Sequence, residues 1–448
     1  MLNYFHNILG GVYMKPVLDK NGIKELMLKN GIKTQTELAK RMNISKPQLS
    51  TILSDKYCPI KENINKLADV LGEEVYHQIK TVKEIEQLSL LKSKENTENQ
   101  YVDVSNVIPK RKYNVLELFA GAGGLALGLE EAGFNDVGLL EIDKHAAQTL
   151  RDNRPNWNVI EGDINAIADE EGGIYNYIDP NTEVDVLSGG YPCQAFSYAG
   201  KRLGLSDTRG TLFYGYAKLL EQLKPKMFLV ENVKGLTTHD HGRTLKTMID
   251  VFENIGYSTQ YKVLNAWDYG IAEKRQRMIL IGIRNDLKDK LDYKYPKPHD
   301  YKPVLKDVLK DVPDSPGIKY SKKKYDVLKL VPPGGYWRDL PPEIAKEYMG
   351  ASWNSGGGRT GMARRLSWNE PSLTLTTSPS QKQTERCHPD ETRPFTTREY
   401  ARIQSFPDEW KFAGGVGAIY KQIGNAVPVN LGREVGLSII NALNQLEK

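Results

Sequence analysis

From Tyr113 onward, short apolar runs alternate with amphipathic segments, and this alternation is the strongest constraint on the fold. The runs have the length of strands, and a segment such as residues 243–255 carries its apolar residues at helical spacing. Strands separated by helices predict a doubly wound, mostly parallel α/β sheet that binds ligands at the carboxyl ends of its strands. The predicted strands between residues 113 and 233 end in glycines, carboxylates or a cysteine. We therefore expect the functional site along that edge of the sheet.

Segments of different character flank the predicted sheet. Residues 34–53 (TQTELAKRMNISKPQLSTIL) have the apolar spacing of two short helices joined by a tight turn. This stretch resembles the helix-turn-helix of phage repressors, although a generic helical bundle is the alternative. Its second helix would offer base edges and phosphates the side chains of Lys46, Gln48, Ser50 and Thr51. We predict an all-α helix-turn-helix domain at 15–80, a linker at 81–112, a catalytic domain at 113–285, a loop-rich unit at 286–393, and a segment, 394–448, that returns to the catalytic domain.

Composition limits the kinds of protein and site to consider. Of 448 residues, 40% are hydrophobic and 26% are charged, which is typical of a globular protein. No apolar run approaches the roughly 18 residues that span a bilayer, so we expect no membrane partner. The three cysteines (Cys58, Cys193 and Cys387) are scattered, and we find no export signal; this predicts no disulfide, no metal site and a reducing cytoplasm. The net charge of +5 permits a polyanionic partner but does not require one.

The ends of the first three predicted strands suggest a nucleotide-like cofactor. FAGAGG (119–124) stands between a strand and a helix, where glycines let backbone N–H groups approach a ligand. Glu141 ends the second strand and could bind ribose hydroxyls. Asp163 ends the third strand and could accept a hydrogen bond from an adenine amino group. The glycines and Glu141 fit NAD and S-adenosylmethionine almost equally well, so the residues indicate an adenosine-containing cofactor without choosing between the two.

The later strand ends carry reactive groups. Cys193 follows the fourth strand in YPCQ and is either a small buried hydrophobe or a nucleophile. Glu231, in VENV, stands at the end of the fifth strand and is either an acid that could share a proton with a ring nitrogen or a solvated loop residue. Arg275 and Arg277 alternate at the start of the last strand, so both should lie on one face and grip a carbonyl oxygen or a phosphate. An edge-strand salt-bridge pair is the alternative for these arginines.

Nine short motifs occur in one order across roughly 330 residues: FAGAGG, EID, GD, GGYPCQ.FS, SDTRGTLF, ENV, a variant of QxRxR, TTREYARIQSFP and QIGNAVPV. This set strongly resembles the C5-cytosine DNA methyltransferase family of bacterial restriction-modification systems. The resemblance implies a Rossmann-like sheet, a small target-recognition domain at 286–393, S-adenosyl-L-methionine as cofactor, and double-stranded DNA as substrate. In one departure, Ala272-Glu273 stands where the family usually has Pro-Gln. The family therefore does not imply the hydrogen bonding around Glu273.

The resemblance assigns roles to matching positions. Cys193 matches the nucleophile, Glu231 the acid at cytosine N3, and Arg277 the residue that holds cytosine O2, with Arg275 beside it. The matching cofactor contacts are Phe119, Ala120, Gly121, Gly123, Gly124, Glu141, Ile142, Asp163, Leu212 and Asn425. Residues 194–212 match a mobile catalytic loop, whose expected DNA contacts are Gln194, Ser197, Lys201, Arg202 and Arg209. In the 286–393 region, five side chains could either read the target sequence or serve as structural residues: Trp337, Arg338, Arg359, Arg364 and Arg365.

The resemblance also implies partners and a location. We expect a monomer on DNA that could dimerise through its N-terminal domain, in the bacterial cytoplasm and associated with the nucleoid. A restriction endonuclease could act on the same DNA site without direct contact, and the N-terminal domain could repress the protein's own operon. Three other functions deserve comparison: a tRNA cytosine methyltransferase, a regulator that has lost catalysis, and a nicotinamide oxidoreductase. The last would leave YPCQ, ENV and the arginines without a role.

Overall fold

The chain forms two compact units, Met1–Gln100 and Tyr101–Lys448. The computed structural model describes residues 16–18, 20–54, 61–81, 100–192, 211–354 and 359–447. Across those residues, no helix is both long enough and apolar enough to cross a membrane.

The first unit contains the predicted short helices. Its helices are α1 (Lys20–Lys29), α2 (Gln35–Arg41), α3 (Lys46–Ile52) and α4 (Lys61–Leu71). Ser45 begins α3 with a capping box, in which its Oγ accepts from Gln48 N at 3.3 Å and Gln48 Oε1 accepts from Ser45 N at 2.8 Å. Two three-residue strands, β1 (Pro16–Leu18) and β2 (Ile79–Thr81), pair antiparallel. The prediction of an all-α unit missed this pair because three residues are too few for a strand pattern to stand out.

In its described residues the second unit has eleven strands, seven of which form one central sheet. Its strands are β3 (Tyr101–Val102), β4 (Tyr113–Leu118), β5 (Phe134–Glu141), β6 (Val159–Glu161), β7 (Val186–Gly189), β8 (Met227–Val233), β9 (Tyr257–Asn265), β10 (Glu273–Lys274), β11 (Gln276–Arg284), β12 (Tyr295–Pro296) and β13 (Ser372–Leu373). The sheet order is β6-β5-β4-β7-β8-β11-β9. Its first five strands run parallel, and β11 is antiparallel to both of its neighbours. The predicted doubly wound, mostly parallel sheet is confirmed.

The helices of the second unit either cover the faces of the sheet or belong to the smaller, loop-rich unit. They are α5 (Gly124–Ala132), α6 (Lys144–Asn153), α7 (Ile164–Asp169), α8 (Leu212–Leu223), α9 (Arg243–Ile255), α10 (Leu305–Val308), α11 (Lys322–Leu328), α12 (Pro342–Met349), α13 (Thr397–Ile403), α14 (Val416–Asn425) and α15 (Val429–Leu443). Successive residues of β4 alternate between two apolar cores, with Val115 in one and Leu116 in the other. The helix α15 approaches α5 so closely that a Cβ at Gly128 would lie 2.4 Å from Val429 O. The C-terminal segment thereby packs against α5, and its Leu431 and Val435 lie in a core shared with the strands.

Two predicted boundaries need correction. Residues 101–112 are not linker: β3 pairs with β12, and Val104 is buried in the core beneath the sheet. Residues 286–319 do not belong to the smaller unit, because their apolar side chains, such as Tyr295 and Leu305, lie in the cores of the catalytic domain. The separate core of the smaller unit contains side chains from Tyr320 to Cys387. Composition could not reveal these boundaries, because a loop-rich sequence can pack on either core.

At the centre of the smaller unit lies a buried carboxylate, Glu385. It accepts a hydrogen bond from Ala363 N at 2.5 Å, pairs with Lys324 Nζ at 2.7 Å, and accepts from the Tyr348 hydroxyl. These contacts join α11, α12 and the chain before Arg364. A charged centre was not expected from the sequence, because glutamate is usually a surface residue.

Candidate active site

A cavity of about 900 Å³ opens at the carboxyl ends of β4 to β8. Twelve of the predicted catalytic and cofactor residues line it: Phe119, Ala120, Gly121, Gly124, Glu141, Ile142, Asp163, Leu212, Glu231, Arg275, Arg277 and Asn425. The end of α14 closes one side of this cavity, so residues about 300 positions apart in the chain meet in it. The cavity lies at the edge of the sheet where the sequence analysis expected the functional site.

The glycine loop after β4 turns sharply and presents backbone to the cavity. Phe119 and Gly121 have φ angles of 60° and 55°, in the left-handed region. A Cβ at Gly124 would lie 2.2 Å from Val427 O, so only glycine fits there. Gly123, predicted as a cofactor contact, does not line the cavity. A Cβ there would meet Leu150 Cδ2 at 2.7 Å, so the glycine lets the loop pack closely on α6.

Glu141 is held by the loops on either side of it. Its Oε2 accepts from Gly121 N and its Oε1 accepts from Asp143 N, both at 2.7 Å. Burial raises the pKa of this carboxyl, and the two backbone N–H groups oppose the rise. Because each oxygen keeps a further lone pair, the oriented carboxylate can still accept from ligand hydroxyls. Beside it, the exposed side chain of Ile142 offers an apolar surface.

Asp163 and two residues that the sequence analysis missed complete this end of the cavity. Asp163 Oδ1 accepts from Asn165 N at 2.7 Å and so caps α7. Lys421 Nζ, from α14, forms an ion pair at 2.9 Å with Asp143 Oδ2. Glu117 is almost completely buried in β4, lines the cavity, and has an Oε2 without a hydrogen-bond partner. A carboxylate within the apolar strand VLELF was the signal that could have identified Glu117.

The other end of the cavity carries an ion pair. Arg277 Nε lies 2.7 Å from Glu231 Oε1, and both side chains are about nine-tenths buried. Burial and the nearby Arg275 lower the pKa of Arg277 to about 10. A guanidinium and a carboxylate so placed can bind the O2 and N3 edge of a pyrimidine.

The residues before the predicted nucleophile pack closely on this pair. A Cβ at Gly190 would lie 2.8 Å from Glu231 Oε2, and Asn232 Nδ2 donates to Tyr191 O at 2.8 Å. The sequence motifs GGYPCQ and ENV are therefore in direct contact through β7 and β8. Tyr191 and Pro192 line the cavity. Cys193 lies outside the described residues, as do Gln194, Ser197, Lys201, Arg202 and Arg209.

Arg275 differs from its prediction as a residue that grips substrate. Its side chain is fully buried and donates to the carbonyl oxygens of Leu375 at 3.0 Å, Gly424 at 2.8 Å and Ala426 at 2.9 Å. Its guanidinium thus holds the chain after β13 and the end of α14 against the sheet. Strand periodicity cannot say whether a side chain meets substrate or another segment.

The predicted DNA-reading residues fall into two groups. Four of them lie in α3 of the first unit and are exposed: Lys46, Gln48, Ser50 and Thr51. In the smaller unit, Arg338 is exposed, and its guanidinium and that of Arg359 each lie 5.2 Å from the centre of the Trp337 ring. Arg359 also donates to Trp353 O at 2.8 Å, which leaves Arg338 as the more accessible of the two.

The remaining two arginines are held by the protein. Arg364 is mostly buried and pairs with Glu370 at 3.2 Å. Arg365, predicted as a DNA contact, is buried and donates to Val331 O at 2.7 Å and Leu328 O at 2.8 Å. We correct its role to structural, because a guanidinium saturated by carbonyl oxygens is not available to a base.

The described part of the chain contains one of the three cysteines, Cys387, and no cluster of metal-ligating side chains. Cys387 is buried, and burial raises the pKa of its thiol to about 11, so its thiolate is scarce at neutral pH. No group of three or more His, Cys, Asp or Glu side chains in the described ranges could hold a metal ion.

Comparison with known proteins identifies the family. Residues 113–441 match the family model of C-5 cytosine-specific DNA methylases, and residues 22–75 match the Cro/C1-type helix-turn-helix DNA-binding domain. The chain is 59% identical over 433 residues to the type II methyltransferase M.Sau96I of Staphylococcus aureus, covering 96% of this chain and 99% of that protein. It is 56% identical over 349 residues to M.Eco47II of Escherichia coli, covering 76% of this chain and 82% of that protein.

A solved structure supports the same assignment. A prophage-encoded E. coli protein, described as a DNA modification methyltransferase, aligns with a TM-score of 0.54 and 25% identity, over 74% of this chain and all of that one. The family and fold expected from the sequence are therefore confirmed. The chain belongs to the C5-cytosine-specific DNA methylase family, and it is a type II DNA (cytosine-5-)-methyltransferase with an N-terminal Cro/C1-type helix-turn-helix domain.

Proposed function

We propose that this enzyme transfers a methyl group from S-adenosylmethionine to C5 of a cytosine that it flips out of duplex DNA, through a transient Cys193 adduct. The observation that carries the proposal is the shared cavity. At one end Glu141 is fixed by the glycine loop, and at the other end Glu231 is paired with Arg277. A site with these two ends can bring an adenosyl cofactor and a pyrimidine together.

The residues present fit S-adenosylmethionine. Glu141 would hold the ribose hydroxyls, Ile142 would cover the adenine, and Asp163 would accept from its amino group. The unpartnered Oε2 of Glu117 at the base of the glycine loop suits a cationic amino-acid end. When bound, the cofactor would supply an electrophilic methyl group on a sulfonium.

The chain's own residues would make cytosine reactive. C6 is inaccessible inside a duplex, so the base must leave the stack. A bond from the Cys193 thiolate to C6, with Glu231 donating a proton toward N3 and Arg277 holding O2, would make C5 enamine-like. C5 would then take the methyl group, a base would remove the C5 proton, and the bond from C6 to sulfur would break.

Covalent trapping tests the nucleophile. Duplex DNA with 5-fluorocytosine at the target, incubated with enzyme and cofactor, should give a protein–DNA complex that survives denaturing electrophoresis, because fluorine at C5 cannot leave as a proton does. The Cys193→Ser variant should give no complex, whereas Cys58→Ser should trap like the natural enzyme. A Cys193→Ser enzyme that still methylates at the full rate would refute the adduct. Bisulfite sequencing of DNA from expressing cells would identify the methylated sequence.

We also propose that the first unit binds operator DNA and represses the enzyme's own gene. Its exposed α3 residues and its match to the Cro/C1-type domain support this role. Lys46→Ala with Gln48→Ala should remove a footprint at the upstream promoter but leave methylation of a distant site unchanged. A footprint that persists in a chain without residues 1–80 would refute this function.

Further aspects of the biology follow from the same proposal. The enzyme would act on DNA as a monomer in the bacterial cytoplasm, with dimers formed through the first unit at an operator. A restriction endonuclease would share its target sequence without contacting it. Duplex DNA is favoured over tRNA by the helix-turn-helix unit, and competition between the two in a methyl-transfer assay would distinguish them.

A further inference from the structure

Arg275 is a buried junction between the strand that carries Arg277 and two distant segments of the chain. It lies between β10 and β11, two residues before Arg277, and its side chain is fully buried. Its Nη2 donates to Gly424 O at 2.8 Å and to Ala426 O at 2.9 Å. Its Nη1 donates to Leu375 O at 3.0 Å. A single guanidinium therefore holds segments that lie 100 to 151 residues further along the chain.

The two acceptors of Nη2 stand on either side of Asn425, the last residue of α14. Residues 424–427 all line the cavity that also contains Glu141, and Asn425 is exposed. The backbone leaves the helix at Ala426, whose φ and ψ angles are −62° and 148°. The last carbonyl groups of a helix have no partner within it, so Arg275 supplies the donors that fix the backbone around Asn425.

The third acceptor belongs to a segment that lies behind the cavity. Among the described residues, none of 372–377 lines the cavity. A Cβ at Gly424 would lie 2.4 Å from Thr376 O, so the end of α14 packs directly on this segment. Leu375 N donates to Oε1 of Glu273 at 2.6 Å, which fixes the segment to β10. The guanidinium thus links a wall of the cavity to a support outside it.

We propose that Arg275 is a positioning residue of the methyl-transfer reaction, which orients Asn425 toward the cofactor by fixing the carbonyl groups on either side of it. The inference rests on the proposed function, in which S-adenosylmethionine occupies the cavity. Because Arg277 follows two residues later, the same contacts fix the cofactor relative to the cytosine pocket. A guanidinium donates from two terminal nitrogens in a fixed plane, whereas an ammonium donates from one flexible atom. Lysine would keep the charge but could not hold both segments.

The test is the calorimetric affinity of the full-length chain for S-adenosylhomocysteine. Arg275→Lys should raise the dissociation constant about tenfold, because Asn425 would then adopt the binding orientation only about a tenth of the time. Asn425→Ala removes the side chain on which Arg275 acts, so in that background Arg275→Lys should change the dissociation constant less than about twofold. A residue that only stabilised the fold would give the same change in both backgrounds.

Arg365→Lys is the matched control, because Arg365 is also buried and donates to carbonyl oxygens, at Val331 and Leu328 of the smaller unit. Both variants should lower the melting temperature, but Arg365→Lys should bind S-adenosylhomocysteine as the natural enzyme does. An Arg275→Lys enzyme that loses no more affinity than Arg365→Lys would overturn the inference, as would an equal loss with and without the side chain of Asn425.

Hydrogen exchange of the natural enzyme decides the question if Arg275→Lys fails to fold. S-adenosylhomocysteine should slow exchange of the backbone N–H groups of Leu375 and Thr376, which lie outside the cavity, as well as those of residues 424–426. Protection confined to residues 424–426 would contradict a link through Arg275. A natural enzyme that does not bind S-adenosylhomocysteine would instead contradict the proposed function.

Discussion

Glu231→Gln should lower the single-turnover rate of methyl transfer by about 10²–10⁴-fold, the usual contribution of a positioned acid. Glutamine has nearly the same shape but cannot deliver a proton to cytosine N3. The cofactor end of the cavity should be unaffected, because Glu141 is fixed by Gly121 N and Asp143 N. The measurements are rapid-quench kinetics on duplex DNA and calorimetric binding of S-adenosylhomocysteine.

A matched comparison separates catalysis from folding. Removing the charge of Glu231 leaves Arg277 buried without its 2.7 Å partner, which should cost about 1–3 kcal/mol of folding stability. Arg277→Gln breaks the same ion pair but leaves the acid in place. We expect that variant to retain more activity than Glu231→Gln at equal stability. A Glu231→Gln enzyme within about tenfold of the natural rate would exclude Glu231 as the proton donor.

The second large effect concerns stability. Asp185 is fully buried just before β7 and joins three segments of the second unit. Its carboxylate pairs with Arg111 at 2.5 Å and Lys226 at 2.6 Å, and it accepts from Asn114 N at 2.9 Å. Asp185→Asn leaves both cations without their shared partner. Because Arg111 is 31% exposed, we discount the fully buried value and expect a loss of about 2–4 kcal/mol in the free energy of unfolding.

The pH dependence of that loss is a sharper test. Burial alone would raise the pKa of Asp185, but the hydrogen bonds from Arg111, Lys226 and Asn114 N outweigh burial and lower it. The stabilisation is therefore complete above the unfolded-state pKa of about 3.9 and disappears as the pH falls toward the lower folded-state pKa. Denaturant unfolding should show the natural protein and Asp185→Asn converging in acid. Asp286→Asn removes an exposed Arg-paired carboxylate and should cost less than about 1 kcal/mol.

Most of the predicted residues that line the cavity lie at or near strand ends, whereas Leu212 and Asn425 lie at helix ends. Motif order predicted that Glu141, Glu231 and Arg277 line one cavity, and they do. Such predictions succeed because a parallel sheet brings its carboxyl ends to a single edge regardless of loop detail. Glu117 and Lys421 were missed: one is an acid within an apolar strand, and the other lies on a helix that returns to the cavity from the far end of the chain.

The arginines show where local pattern stops being informative. Arg275, Arg277 and Arg365 have the same chemistry in the sequence, yet of these three only Arg277 pairs with Glu231. Arg275 bonds to carbonyl oxygens 100 and 151 residues further along the chain, and Arg365 bonds to one 34 residues earlier. The spacing of residues along the chain does not predict these hydrogen-bond partners.

The amino-acid sequence by itself determined the family and the edge of the sheet at which the predicted site residues lie. It could do so because strand–helix alternation and short motifs are properties of neighbouring residues. Only the tertiary structure decided which charged side chains line the cavity and which hold the chain together. Burial and ion pairing depend on segments that come into contact only after folding, and the buried guanidinium of Arg275 meets the carbonyl oxygens of Leu375, Gly424 and Ala426 in that way alone.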